Sequence, residues 1–537
     1  MTEVSDVIVI GAGFGGLYAV HRLASSGLSV TAVEAAPDVG GTWYWNRYPG
    51  ARCDVESVDY SYSFDEMLQQ SWQWSERFAA QPEILAYLRH VADRFDLRRH
   101  YRFGVDVVGA SFDQGDGRWQ VDTATGDRFS AQFLLCATGC LSALNRPNIP
   151  GVEDFSGEVY FTAAWPREDP DLRGKRVGLI GTGSSGIQVA PIVAAQAEKL
   201  VVFQRSANYT IPMPNRPWST DEQQQIQQQY PERRRVSAYA QAGTPHGTYH
   251  KKALDAEPRE RVEALWKTWR EGGVLFAKTF PDQTSDLSAN DVARQFAEER
   301  IREIVTDPVV ATDLIPVDHP IGTKRICTDN GYYATFNRDN VRLVNLRRER
   351  IDVITADAVR TREAEYPCDV LIFATGFDAM TGALTRINPS GPGAQRLRDI
   401  WADGPLTFLG LMVPGLPNLF TISGPGSPSV LANMVLHAEV QVDWVIDLLR
   451  AARQLGVHEV EPRRDAAVAW THHVAQAAER TLFPKAASSW YLGAIIEGKK
   501  RTFMPYIGGF GTYRRHCDDV AAHEYAGLVL TTRSKGK

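Results

Sequence analysis

The stretch DVIVIGAGFGG, Asp6 to Gly16, decides how the chain is read. Its unbroken run of β-branched apolar residues has the composition of a strand buried on both faces. Gly11, Gly13 and Gly16 follow at G-x-G-x-x-G spacing. Glycine there permits a tight turn, lets backbone N–H groups approach a pyrophosphate, and lets the next helix pack close to the strand. A helical pattern from Leu17 to Ala24 and a second strand, SVTAVE, complete a strand–helix–strand unit. Glu34 ends that strand, 23 residues after Gly11, near the distance at which a carboxylate grips ribose hydroxyls.

The same grammar returns from Lys175 to Ser206, where Gly181, Gly183 and Gly186 form the second glycine loop. Its closing strand, VVFQRS, ends on Arg205, 24 residues after Gly181. A carboxylate at that position repels a ribose 2′-phosphate, whereas a guanidinium can bind one bidentately. The first unit is therefore expected to hold FAD and the second NADPH, with Thr182, Gly183, Ser184, Ser185, Gly186 and Gln188 cradling the second pyrophosphate. FLLCATG (Phe133 to Gly139) and DVLIFATGFD (Asp369 to Asp378) each read as a buried strand and turn that return the chain to their own sheets.

The fold class is α/β, with two Rossmann-like dinucleotide-binding domains and a helical insertion in the second. Residues 1–145 and 381–537 are expected to form the FAD domain. Residues 146–214 and 321–380 are expected to form the NADP domain, with 215–320 as a helical insertion covering it. The insertion carries DEQQQIQQQYPERRR, whose glutamines read as an exposed helical face and Arg233 to Arg235 as a solvated surface. The tail from Ser489 reads as loop-rich.

Composition narrows the function classes. A chain of 537 residues with 44% hydrophobic and 23% charged content is an ordinary globular protein of several domains. A formal charge of -6 argues against general nucleic-acid binding. Six irregularly spaced cysteines suggest a reduced, disulfide-free protein. No basic segment precedes an apolar run at the N-terminus, and no apolar run is long enough to span a bilayer. A cytoplasmic enzyme acting on a small molecule is expected, with no membrane partner. His472 and His473 are adjacent, face different sides of a helix and make no metal site.

Several further motifs carry a specific resemblance: GGTWYWNRYPGARCD (Gly40 to Asp54), FSGEVYFTAAWP (Phe155 to Pro166), GTKR (Gly322 to Arg325), GPGSPSVLANM (Gly424 to Met434) and SWYLGA (Ser489 to Ala494). In this order they resemble the type I Baeyer–Villiger monooxygenases over essentially the whole chain. GARCDVES and FMPYIGGFGTYRR are most similar to the branch containing phenylacetone and steroid monooxygenases. The resemblance implies FAD, NADPH and O2 as reactants, and insertion of one oxygen atom beside a ketone carbonyl.

It also implies residue roles. Arg325 matches the family's active-site arginine, and Asp54 the aspartate that partners it. Thr42, Trp43, Tyr44, Trp45, Asp54, Tyr60, Val107 and Met434 match flavin contacts. Lys324 joins Arg205 and Ser206 at the 2′-phosphate, Arg52 and Asp54 approach the nicotinamide end, Arg325 is a further NADP contact, and Trp490 closes over bound NADP. Physical chemistry points to the same pair. Reduced flavin and O2 give a peroxyflavin that must stay anionic to attack a carbonyl carbon, and a fixed guanidinium beside it stabilises the developing charge.

Two departures stand out. Phe161 occupies the place of a fingerprint histidine, so packing must replace a hydrogen bond there, or coupling of NADPH oxidation to oxygenation changes. Ile495 and Glu497 replace the asparagine and proline common in the Trp490 loop. The rival readings are a related flavin monooxygenase oxidising sulfides or amines, and an uncoupled NADPH oxidase. A flavin disulfide reductase needs a redox-active cysteine pair beside the flavin, and Cys53 is solitary.

Overall fold

The computed structural model describes residues 2–532. A seven-stranded sheet is built on β1 (Glu3–Ile10), followed by α1 (Phe14–Ala24) and β2 (Val30–Glu34). β3 (Tyr101–Phe103), β4 (Val107–Asp113), β5 (Arg118–Thr123) and β6 (Arg128–Cys136) complete the path β3-β2-β1-β6-β5-β4, and a strand at Leu419–Thr421 pairs with β6. β1 lies parallel to both β2 and β6, with Ile10 beside Val33 and Cys136. Val7 and Val9 enter one hydrophobic core while Ile8 and Ile10 enter the core on the opposite face. That division explains why the strand is apolar without alternation.

The second sheet is smaller and wholly parallel. It contains β7 (Glu158–Phe161), β8 (Arg176–Ile180), β9 (Lys199–Gln204), β10 (Val341–Asn345) and β11 (Val370–Phe373), in the order β10-β9-β8-β11-β7. α2 (Ser184–Gln196) follows β8. Two connections between the sheets run side by side. Leu144 and Phe377 form an antiparallel bridge, and the Asn145 amide donates to the Gly376 carbonyl at 3.1 Å.

Between residues 215 and 320 the described elements are helical, including α3 (Thr220–Ser237), α4 (Pro258–Glu271) and α5 (Leu287–Ile304). They do not form one cover over the second sheet. Ile301 of α5 enters that sheet's core, but Tyr230 of α3 enters the core of the first. The arginine cluster is correspondingly not a solvated face. Helical periodicity sets Tyr230, Arg233, Arg234 and Ser237 on one side. Arg233 donates to the Asp59 and Glu56 carboxylates at 2.6 and 2.8 Å, and the Asp59 side chain is 1% exposed. Arg234 donates to the Ser61 hydroxyl and to the Val58 carbonyl, and only Arg235, paired with Glu232, is exposed.

The tail also departs from expectation. After α6 (Met434–Gln454) come a strand at Val457–Pro462, a helix at Arg464–Glu479 and two 3-10 turns; a loop from Gly493 to Gly509 then leads to α7 (Phe510–Ala522) and a strand at Leu528–Thr532. Phe510, Tyr513 and Cys517 bury one face of α7 at helical spacing, behind glycine-rich sequence that reads as loop. Among the described residues no helix is long and apolar enough to cross a membrane.

Arg233→Ala leaves two carboxylates short of a partner and is expected to cost about 3 kcal/mol in urea unfolding. Arg235→Ala is expected to cost less than about 0.5 kcal/mol. Equal small losses would show that the buried network does not hold α3.

Candidate active site

The two glycine loops are the same construction made twice. Gly11 has φ +111°, and a Cβ there would lie 2.5 Å from the Ala137 carbonyl oxygen; at Gly181 φ is +110° and the Ala374 oxygen stands at the same 2.5 Å. A Cβ on Gly16 or Gly186 would strike the carbonyl oxygen of Gly11 or Gly181, at 1.8 and 2.2 Å. Both helix starts thus sit so close to their strands that only glycine fits. The repeated Ala-Thr-Gly turns are the second wall of each cradle.

A cavity of about 380 Å³ opens from the first loop. Gly11, Gly13, Glu34, Thr42, Trp43 and Trp45 line it, joined by Tyr60, Val107 and Met434. The buried Glu34 carboxylate accepts from the Ala12 amide at 2.6 Å and the Ala36 amide at 2.8 Å, while burial pushes its pKa up. Trp43 Nε1 donates to the Tyr60 hydroxyl at 3.2 Å, which fixes the edge of both rings. Gly16 packs behind the wall. Tyr44 faces away: the Arg47 guanidinium lies 4.5 Å over its ring, and its hydroxyl accepts from Arg167 at 2.8 Å. The glycine cradle, the carboxylate at the strand end and the apolar walls fit FAD.

At the second loop, Thr182 donates to the Ser206 carbonyl at 2.8 Å and Ser184 lies 3.3 Å from the Cys327 sulfur. Gly183 caps α2, whose first turn holds Ser184, Ser185 and Gly186. Gln188 bridges the units, accepting from the Tyr48 hydroxyl at 2.7 Å and donating to the Arg52 carbonyl at 3.1 Å. The Arg52 guanidinium itself turns to Glu76 and the Phe78 carbonyl. At the end of β9, Arg205 is exposed beside Lys324 and Arg347, with Asp318 paired to Arg347 at 2.9 Å. Burial lowers the Lys324 pKa, and the charges of Arg205 and Arg347 lower it further despite Asp318. Three cations around one carboxylate suit a phosphate dianion, so this cradle fits NADP.

Asp54 and Arg325 are 271 residues apart and meet between the cradles. Arg325 Nε and Nη2 donate to the two Asp54 carboxylate oxygens at 2.8 and 2.6 Å, and Nη1 donates to the Val430 carbonyl at 2.9 Å. Val430 also lines the FAD cavity. The side chains are 25% and 23% exposed. Burial opposes the Arg325 charge, but the Asp54 carboxylate more than offsets it and raises the pKa above the arginine range. The site therefore keeps a fixed cation at any working pH.

Sequence reading missed three neighbours of this pair. Tyr491, buried with its hydroxyl facing Arg325, lies inside the SWYLGA motif and was within reach. The Val430 carbonyl carries no side-chain signal. Lys278 ends the short helical turn Gly273–Lys278, in the segment read only as a cover, and burial and then the Arg325 charge push its pKa down to about 8. Trp490 is half-buried against the cluster that contains Met380 and Phe503, with Met434 beside it.

At the substituted fingerprint position, Phe161 stacks on Phe373 with ring centroids 5.1 Å apart and planes inclined by 19°. The Arg146 guanidinium sits 4.9 Å from the Phe161 ring centre. A stack and a cation–π contact now fasten the end of β7 to the connection between the sheets.

Comparison with known proteins agrees with this geometry. Residues 4–218 match the flavin-binding monooxygenase-like family. A Baeyer–Villiger monooxygenase of Pseudooceanicola batsensis is 42% identical over 98% of this chain and 96% of its own length. The chain belongs to the Baeyer–Villiger monooxygenases. Among solved structures, oxidised steroid monooxygenase bound to NADP is 51% identical, with TM-score 0.94 over 99% of this chain and 100% of that one. Cyclohexanone monooxygenase from Rhodococcus sp. Phi1 bound to NADP+ is 39% identical, with TM-score 0.96 over 99% of this chain and 100% of the other. This monooxygenase is an FAD- and NADPH-dependent oxidoreductase.

Gly181→Ala forces a side chain into a positive-φ position against a carbonyl, a strain worth about tenfold or more in nucleotide affinity. It is expected to weaken NADP+ binding to that extent, by equilibrium titration, while the FAD-to-protein absorbance ratio stays unchanged. Lys278 gives a pH dependence whose sign follows from linkage. Its folded pKa near 8 lies below the unfolded value, so the unfolded chain binds a proton that the folded one releases, and stability rises with pH above about 8. Lys278→Met should therefore raise the melting temperature more at pH 7 than at about pH 9.5. An equal gain at both would mean the lysine is solvated in the native state.

Proposed function

We propose that this enzyme inserts one atom of O2 beside the carbonyl of a small-molecule ketone, giving an ester or lactone, with Arg325 and Asp54 as its central pair. The observation that carries the reading is the bidentate ion pair set between the two dinucleotide cradles. Bound FAD supplies the activated oxygen, and bound NADPH the reducing equivalents.

Gly11, Gly13 and Glu34 hold the FAD nucleotide, while Trp43, Tyr60, Val107 and Met434 form the wall of its cavity. Arg205, Ser206 and Lys324 hold the 2′-phosphate of NADPH. Thr182 and the first turn of α2 hold its pyrophosphate through backbone N–H groups. Arg325 keeps a positive charge where negative charge develops as a ketone carbonyl is attacked, and it needs no reorganisation at that moment. Asp54 holds the Nε–Nη2 edge of the guanidinium and the Val430 carbonyl holds Nη1, so the cation has one orientation. Oxidation of sulfides or amines develops no carbonyl oxyanion and has less use for that cation. Six free buried cysteines support a reducing, cytoplasmic setting.

In aerobic turnover with NADPH and linear, aryl, cyclic and steroidal ketones, ester or lactone is expected in proportion to NADPH consumed. Arg325→Ala should retain FAD and oxidise NADPH, releasing peroxide, while ester formation falls by about 10²–10³-fold. Normal ester formation by that variant would remove Arg325 from the chemistry.

A further inference from the structure

The short segment Ser488–Tyr491 touches both the cation cluster at the end of β9 and the Arg325–Asp54 pair. Ser488 donates to the Asp318 carboxylate at 2.8 Å, lies 3.3 Å from the Ser206 hydroxyl, and receives the Lys324 ammonium at 3.4 Å. The backbone follows, with the Ala487 amide donating to the Asp318 carbonyl at 3.1 Å. Three residues on, Tyr491 is 2% exposed and its hydroxyl faces the Arg325 guanidinium.

The intervening chain has little slack. Ser489 is fully buried and caps the 3-10 turn Trp490–Leu492, its hydroxyl accepting from the Tyr491 amide at 3.3 Å, and Gly493 in the left-handed region ends the turn. Arg501 ties the base of the segment by donating to the Ala486 and Ala487 carbonyls, both at 2.7 Å. A displacement at Ser488 is therefore carried to Tyr491 as a body.

We infer that Ser488 is a positioning residue that couples occupancy of the 2′-phosphate site to the placement of Tyr491 against Arg325. The inference rests on the proposed phosphate role of Arg205 and Lys324. The chemistry is a competition for one proton. The Ser488 hydroxyl has a single hydrogen to donate and here gives it to Asp318. A phosphate dianion beside Lys324 and Ser206 is a stronger acceptor at the same place and draws Arg347 away from Asp318. A nicotinamide nucleotide without the 2′-phosphate offers no such acceptor. Discrimination between the two nucleotides then acts on the arrangement around Arg325 as well as on affinity.

The test uses the full-length, FAD-loaded protein and amide hydrogen exchange of the peptide spanning residues 486–500. NADP+ is expected to slow exchange there, and NAD+ at matched occupancy to leave it about tenfold faster, the factor of one charge-assisted hydrogen bond. Ser488→Ala should lose the NADP+-dependent protection and release a larger share of NADPH equivalents as peroxide, while Ser488→Thr retains both wild-type behaviours. Unchanged protection in Ser488→Ala, or equal protection by NAD+ and NADP+, overturns the coupling. Arg205→Ala separates the two levels: unchanged NADP+ affinity in that variant overturns the phosphate assignment itself and the coupling with it.

Discussion

The ion pair between Arg325 and Asp54 is the constraint around which the molecule is arranged. A guanidinium drawn partly out of water between two sheets is costly unless its donors are satisfied. Here three of its nitrogens find oxygen acceptors, two on Asp54 and one at the Val430 carbonyl. Those partners come from sequence segments far apart, one before the second sheet begins and one after it ends. Bringing them together requires both sheets, both connections between them and the loop before α6. The same closure sets Gln188 against Tyr48 and Arg52, so the nucleotide cradles face a common space.

The two cradles show how little sequence is needed to specify a shared geometry. Each pairs a positive-φ glycine with the carbonyl of an Ala-Thr-Gly turn and sets a second glycine over the first one's carbonyl. What differs is the residue at the end of the second strand. Glu34 is buried and held by two backbone amides, whereas Arg205 stands exposed among other cations. One fold thus offers an acceptor of hydroxyl protons at one site and an anion receptor at the other.

Phe161 shows that a motif position can change chemistry and keep its mechanical use. A histidine there can hydrogen-bond, and a phenylalanine cannot. The contacts with Arg146 and with Phe373 give the ring two partners that hold it in place. Arg233 teaches the converse, since a run of three arginines reads as solvated by composition. Two residues, about half a helical turn, separate a buried network donor from an exposed surface pair, and only the carboxylates of Glu56 and Asp59 decide which is which.

Sequence by itself determined the α/β class, the duplicated strand–glycine–helix units and the opposite charges at their strand ends. These are local: strand composition, glycine spacing and strand-end identity lie within about thirty residues and obey backbone sterics. The Asp54–Arg325 pairing was legible only through resemblance, because no spacing rule links residues 271 positions apart. Tertiary structure alone decided that Arg52 turns to Glu76, that α3 packs on the first sheet, that Lys278 stands beside Arg325, and that Ser488 and Tyr491 connect two parts of the site. Each of those depends on which surfaces meet when the sheets close, and burial and pairing of charge are properties of the surfaces that meet, beyond the reach of local sequence.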